Sequence, residues 1–298
     1  MRNDYRLQLQ SFWNARVKSE LEREEVNPKK QVHTDLLWRE IKRYIGMKSG
    51  LTILDAGGGF GRFSIPLAEA GHKVVHFDIS PNMLAAARNR SRSSGIANIE
   101  FVHGSIDDLS QFGHNSFDLV LCLDSPLSFC YDSYETALNE LVRVTKSMLV
   151  LCVMNKSRII AEGVNFDLKY FGRLKTAPEV YDTGTLLVTE ELKQLHPTLM
   201  PGWHAFTPDE LKDLLARNGC RVERMSAPGA LAQFAEPDLL RQLFQDKEAY
   251  QSYLDFEERY DSDSYVLGMA TGVAGGLLVT ATKIVERGDE AGIEGQEW

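Results

Sequence analysis

The chain of 298 residues has only four cysteines, Cys122, Cys130, Cys152 and Cys220, and they form no CxxC pair. That spacing argues against a zinc ribbon or a disulfide framework and for reduced thiols in a core. There is no long apolar run. The longest nearly uncharged stretch, Gly268 to Thr282, is too short and too rich in glycine to span a bilayer, which needs ~20 apolar residues. The first ten residues, MRNDYRLQLQ, have no apolar centre of the kind a secretory signal carries. No excess of positive charge is present either: 33 Lys and Arg stand against 42 Asp and Glu, a formal net charge of −9. Together these absences point to a cytoplasmic globule without membrane contact or a structural metal, and against non-specific nucleic-acid binding. What is present, 43% hydrophobic residues and 9% aromatics, suffices for a sizeable core.

The charge is unevenly spread. Residues 28 to 48 carry six Lys or Arg against Asp35 and Glu40, whereas residues 236 to 263 carry nine acids against three bases. The basic stretch is a candidate phosphate-facing surface. Leu37, Ile41, Tyr44 and Ile45 fall on one helical stripe, and Tyr5, Leu9, Phe12, Trp13 and Val17 predict another helix that ends before Pro28. Residues 1–48 are therefore expected to form a helical N-terminal cap. Then the rhythm changes. Apolar runs at 51–55, 73–78, 99–103, 117–123 and 147–154 alternate with helical patterns, among them Ser80-Pro81 and a helix capped by Asp132 with Glu135 three residues later. Strands alternating with helices predict an α/β, doubly wound, mostly parallel sheet within residues 49–286. Residues 156–206 break the alternation and read as a lid insertion. Thr207-Pro208-Asp209-Glu210 is a capping box, and strands follow at Cys220 to Met225 and Gly276 to Val285. The polar segment 237–261 reads as a helical addition to the lid, and 287–298 as a frayed tail.

The sharpest signal is Asp55-Ala-Gly57-Gly-Gly59-Phe-Gly61, placed after a strand and before a helix, with Asp78 ending the next strand. Glycines there allow a ligand close to the backbone, and a carboxylate at the second position accepts ribose hydroxyls. A dinucleotide fingerprint is G-x-G-x-x-G. The spacing here is G-x-G-x-G, and Asp55 two residues before the first glycine would repel a pyrophosphate. It suits a ligand with an α-ammonium group and no phosphate, which S-adenosylmethionine is. A nicotinamide dehydrogenase is disfavoured by the same spacing.

On these residues the chain resembles the class I S-adenosylmethionine-dependent methyltransferases, over roughly residues 32 to 285. The resemblance implies a seven-stranded sheet whose last strand is antiparallel, with S-adenosyl-L-homocysteine as product. It also implies that Asp55, Gly57 and Gly59 face the methionine part, Asp78 the ribose and Ile79 the adenine. Adenine recognition rests on Ser105, Ile106 or Asp107, where relatives often place an acid at the position of Ser105. Leu123 and Asp124 would lie near the sulfonium. Further echoes, His33-Thr-Asp-Leu-Leu-Trp38, Met154-Asn155 with Phe166-Asp167, Phe206-Thr-Pro-x-Glu210-Leu and Leu254-x-x-x-Glu258-Arg-Tyr260, resemble the group that methyl-esterifies the carboxymethoxy group of wobble uridine in tRNA. In that group cofactor-contacting side chains stand at the positions of His33 and Leu123, an arginine and a histidine respectively.

Methyl transfer from a sulfonium is an in-line displacement of an already activated group, so placement and desolvation supply most of the acceleration. A base is needed only if the acceptor arrives protonated. A carboxylate acceptor needs none and favours a nearby cation. The candidates for a catalytic role are Asp124, after the fourth strand, and His204 in the insertion, with His196 and Asn155 behind them. Tyr131, Phe166, Tyr170, Phe171, Tyr181 and Trp203 make the insertion aromatic. Arg88, Arg90 and Arg92 cannot share one helical face and read as a solvated helix end. The expected activity is methyl transfer to a small-molecule acceptor. The alternatives are tRNA wobble-uridine methylation and a non-catalytic cofactor-binding protein.

Overall fold

The computed structural model describes residues 3–269 and 276–284. Three helices come first: α1 (Asn3–Asn14), α2 (Val17–Val26) and α3 (Pro28–Ile45). Where the sequence predicts one helix before Pro28 there are two. The Asn27 side chain accepts from Lys29 N and Pro28 sits in the first turn, so α3 starts cleanly. The core alternation follows as β1 (Thr52–Ala56), α4 (Ser64–Glu69), β2 (Lys73–Asp78), α5 (Pro81–Ser93), β3 (Ile99–His103), β4 (Phe117–Cys122), α6 (Pro126–Phe129), α7 (Tyr134–Val144) and β5 (Thr145–Met154). The insertion comprises α8 (Lys156–Phe171), α9 (Thr176–Thr183), β6 (Thr185–Leu187), α10 (Glu190–Leu195) and β7 (Gly202–His204). After it come α11 (Pro208–Arg217), β8 (Cys220–Ser226), α12 (Pro237–Leu243), α13 (Lys247–Asp261), α14 (Ser264–Gly268) and β9 (Gly276–Lys283).

Seven strands form one sheet in the order β3-β2-β1-β4-β5-β9-β8, and β6 pairs with β7 separately. β9 runs antiparallel to both neighbours, and the other observed pairings in the main sheet are parallel. This is the doubly wound architecture that the sequence predicts. The central strands β1, β4 and β5 are mostly apolar because both sheet faces are covered there. Leu54, Val120, Leu149 and Leu151 pack on α7 and α11 through Leu138, Leu141, Leu211 and Leu215. Ile53, Leu119, Leu121 and Val150 face Leu37 and Ile41 of α3 and Phe63 and Leu67 near α4. Helix α3 is thus a layer of the core, and the cap is α1 with α2. The capping box at Thr207 and Glu210 forms as read, and Ser80 caps α5. Asp132 caps nothing: it lies in a single 3₁₀ turn, and α7 starts at Tyr134 after Ser133.

Two expectations are corrected by the packing of the late helices. Segment 237–261 does not extend the lid, because Leu240 and Leu254 bury against Val32 and Leu36 of α3. Nor do the arginines of the basic stretch stand free for phosphates. Arg39 pairs with Asp255 (2.7 Å) and Glu258 (3.1 Å) of α13, and Arg43 with Glu258 (2.8 Å). Lys29 donates to Gln233 O, and Tyr250 donates to Asp35. Arg39 and Arg43 thus find their partners in the acidic stretch, while Lys42 and Lys48 stay exposed. All four cysteines are buried and unpaired. Among the described residues no helix is long and apolar enough to cross a membrane. No cluster of three or more His, Cys, Asp or Glu side chains there is arranged to hold a metal ion. The tail at 287–298 and the Val285 end of the last strand lie outside the described residues.

Candidate active site

The strand order reverses between β1 and β4, and a cavity of about 840 Å³, mouth included, opens beside that point. Crevices at such switch points, outside the carboxyl ends of strands, are where doubly wound sheets bind ligands. The glycine loop forms its floor. Gly57 N and Gly58 N both donate to Phe77 O, which folds the loop back across β2. Gly57 adopts φ +81°, and a Cβ there would fall 2.4 Å from Pro126 Cγ, so only glycine fits between β1 and α6.

Asp78 lies at the rim of the loop. Its Oδ2 accepts from Gly59 N (2.8 Å) and its Oδ1 from Ser80 N (2.7 Å). Burial pushes its carboxyl up to about 6, although both backbone donors oppose the shift. Asp55 is 1% exposed and takes a short hydrogen bond from Ser64 Oγ. Burial raises its carboxyl to about 6 as well. Each oxygen keeps acceptor capacity beyond these bonds. Two sunken carboxyls beside a glycine turn suit hydroxyl and ammonium donors and would repel a diphosphate, so the donor set fits S-adenosylmethionine.

Of the residues singled out by sequence, Asp55, Gly57, Gly59, Asp78, Ile79, Ser105, Ile106, Leu123 and Asp124 all line this cavity. Asp107 does not. It turns away to Arg6 (3.0 Å) and Ser133, and Ser105 donates to it (2.5 Å). His33 is corrected too. It is fully buried under Asp124, with Nε2 3.2 Å from Asp124 Oδ1 and Nδ1 3.1 Å from Pro228 O, and is absent from the lining. Burial lowers its pKa. His204 lies in the insertion, away from the cavity. Its ring stacks on Tyr134 (3.8 Å) and both nitrogens are engaged, with Thr185 Oγ1 (2.7 Å) and Glu210 Oε1 (2.9 Å). It ties β7 to the capping box of α11. Asn155 likewise caps α8 and donates to Leu267 O. His196 packs near Phe166 and Tyr170.

Asp124 is locked. With Ser125 it takes two consecutive positive φ values, 62° and 75°, directly after β4. That turn aims its carboxylate at Arg62 (2.6 Å), Arg23 (3.2 Å) and His33. Burial alone would raise the carboxyl, but Arg23, Arg62 and His33 outweigh it and hold it well below the usual range. Arg62 also meets Glu24 (3.1 Å), and Arg23 meets Glu20 (3.2 Å). Helix α2 is thereby bolted across the mouth. Sequence reasoning missed this network, because nothing in the spacing of Glu20, Arg23 and Glu24 points to a partner after β4. It also missed Leu9, Trp13, Phe60, Met83, Phe129 and Cys130 in the lining. Their apolar character signals burial but not where.

Residues 53–148 match the family model described as Methyltransferase domain. The tRNA 5-carboxymethoxyuridine methyltransferase of Escherichia coli is 25% identical over 244 residues, covering 78% of this chain and 82% of that protein. The demethylmenaquinone methyltransferase of Oceanobacillus iheyensis is 35% identical over 113 residues, 37% of this chain and 46% of that protein. Among solved structures, an S-adenosylmethionine dependent methyltransferase from Mesorhizobium loti superposes with a TM-score of 0.51 at 18% identity, covering 83% of this chain and 98% of the other. Magnesium protoporphyrin IX methyltransferase from Synechocystis with bound SAH gives 0.50 at 18%, covering 87% and 84%. With the acidic glycine loop, the sheet order and the matching domain in agreement, the chain belongs to the class I S-adenosylmethionine-dependent methyltransferases.

Proposed function

We propose that the chain methylates a carboxylate oxygen of a small-molecule acceptor that enters beneath α1 and α2. The observation that carries this reading is the state of the acids around the cavity: none is placed as a free general base. Asp124 and Glu20 are paired with arginines, and Asp55 and Asp78 are occupied by Ser64 and by the loop backbone. Burial drives the Cys130 thiol well above its ordinary value. An acceptor that arrives already ionised needs no proton removed. Arg62, which lines the cavity, is the cation nearest an entering carboxylate, and it shares its charge with Asp124, Glu20 and Glu24.

S-adenosylmethionine supplies a methyl group activated on a cationic sulfur. Asp55 takes the cofactor's α-ammonium, and Gly57 and Gly59 admit its methionine part against bare backbone. Asp78 accepts the ribose hydroxyls, while Ile79, Ser105 and Ile106 flank the adenine. Leu123 borders the sulfur. Trp13, Leu9 and Phe129 exclude water and orient the acceptor along the line of displacement.

The relative acting on tRNA favours a second reading, the same ester chemistry on a wobble uridine. Against it stands the basic stretch, whose arginines are engaged by α13. The test is transfer of labelled methyl from S-adenosylmethionine to a panel of carboxylic acids, phenols, amines and total tRNA. The expected product is a small-molecule ester that releases methanol in base. A base-stable product overturns the carboxylate reading, and label in the RNA fraction overturns the small-molecule reading.

A further inference from the structure

Strand pairing sets Asp55 of β1 in register with His76 of β2. Their side chains stand 4.0 Å apart at closest approach, too far for a hydrogen bond. Ser64, the first residue of α4, fills the gap. Its Oγ touches Asp55 Oδ2 and lies 2.7 Å from His76 Nδ1, and His76 Nε2 lies 3.0 Å from Gly59 O. None of the three side chains belongs to a residue more than 1% exposed. The glycine loop lies directly over them. A Cβ at Gly58 would fall 2.5 Å from His76 Nδ1 and 2.9 Å from Asp55 Oδ2, so the ring beneath accounts for glycine between Gly57 and Gly59.

The three contacts impose a proton count. Gly59 O only accepts, so Nε2 carries a hydrogen. An ionised Asp55, the Ser64 hydroxyl and a neutral imidazole then hold two protons for three contacts, and one contact sets lone pair against lone pair. One more proton fills every contact and leaves the triad without net charge, which burial demands. It can rest in either of two places. In one, the Asp55 carboxyl donates to Ser64 and Ser64 donates to a neutral His76. In the other, His76 is imidazolium and donates to Ser64, which donates to an ionised Asp55. Both hold the same number of protons.

We propose that Asp55, Ser64 and His76 form a proton relay that ionises Asp55 when the cofactor's ammonium arrives and stores the displaced proton on His76. The step balances: the Asp55 proton passes from Oδ2 to Ser64 Oγ as the Ser64 proton passes to His76 Nδ1. Ser64 and His76 are positioning residues, and the inference rests on the reading of Asp55 as the ammonium's partner. The site then takes in the cofactor's cation while the displaced proton stays on His76 instead of leaving to solvent. The groups that face the relay agree with the carboxyl as the resting place. Burial raises Asp55 to about 6, with Asp78 adding to the rise and Arg62 opposing it. Burial lowers His76 to about 4, and Arg88 of α5 lowers it further while the bond to Gly59 opposes. From β4 the Cys122 thiol stays protonated, and from β3 the Phe101 ring approaches. An ammonium beside Asp55 reverses the preference by favouring the ionised carboxylate.

The test follows the histidine nitrogens by NMR in the full chain at pH 6, free and saturated with S-adenosylhomocysteine, which carries the same ammonium. His76 Nδ1 is expected to move from the unprotonated to the protonated imidazole range. Calorimetry in buffers of different ionisation enthalpy is expected to find almost no proton release for the unmodified chain. His76→Gln keeps a hydrogen-bonding group but cannot hold the proton, and Ser64→Ala cuts the link. Each is expected to release about half a proton per ligand bound, because at pH 6 a carboxyl raised to about 6 is half protonated. An unmoved Nδ1 in a saturated sample, or equal release from all three proteins, overturns the relay. Absence of binding overturns the assignment of Asp55 itself, and the trigger with it.

Discussion

Asp124→Asn separates a structural lock from a catalytic base. The substitution keeps the side-chain volume and removes the charge that meets Arg62 at 2.6 Å and Arg23 at 3.2 Å. Removing one partner of a buried ion pair costs about 3–5 kcal/mol. The Asp124 side chain is 24% exposed, and Glu24 and Glu20 still engage the two arginines. Those facts place the loss near the lower end, about 3 kcal/mol, and size scaling of about 2–4 °C per kcal/mol makes it a fall of roughly 6–12 °C in Tm. The pH dependence has a definite sign. Because the folded carboxyl is held below its ordinary value, its contribution is complete above that ordinary value and is lost as pH falls through the lowered one. Melting curves at neutral pH should therefore show the full gap between the two proteins, and the gap should close in strong acid. S-adenosylhomocysteine affinity, measured alongside, should change less than Tm. If the variant melts within about 1 °C of the parent yet loses turnover, the locked-carboxylate account is wrong and Asp124 is a base.

The remaining expectations are narrower. Asp78→Ala removes the acceptor for two ribose hydroxyls, each about 1.5 kcal/mol or more, so affinity for S-adenosylhomocysteine should fall roughly a hundredfold by calorimetry; unchanged affinity refutes that placement. Gly58→Ala drives a methyl into the His76 ring and should destabilise by about 1–3 kcal/mol in urea melts, and adding His76→Ala should recover part of it. No recovery would mean that the strain lies elsewhere. His204→Ala should lower Tm by cutting the tie between β7 and α11 while leaving S-adenosylhomocysteine affinity intact. A large loss of affinity would return His204 to the site. Finally, acceptor binding should change little between 50 and 200 mM salt, whereas an RNA ligand making several phosphate contacts would weaken by about a thousandfold or more.

The fold was legible because the alternation of apolar runs and helical stripes is a local property, and the sheet order follows from connection rules. The acidic glycine loop and Asp78 were legible for the same reason: their spacing is written within 25 residues of chain. What escaped lies across distance. Arg23 meets Asp124 over 101 positions, and Arg39 meets Asp255 over 216. A charged helix face looks the same in a sequence whether its partner is water or a distant acid. His204 illustrates the converse error. A histidine among aromatics in an insertion suggests chemistry, but both its nitrogens serve packing. His76 drew no notice as a strand residue, since only the register of β1 against β2 brings it to Asp55.

The position of β9 carries a consequence for assembly. β9, the last of the described strands, is inserted between β5 and β8, pairing with both along most of their length. A nascent chain that has emerged only as far as α14 therefore holds two strands with unmet backbone groups and no direct bond between them. Such raw borders invite pairing with foreign chains. Arrival of β9 acts like a stave driven into a cask, and a stop codon just upstream of it should yield an aggregate rather than a weakened enzyme.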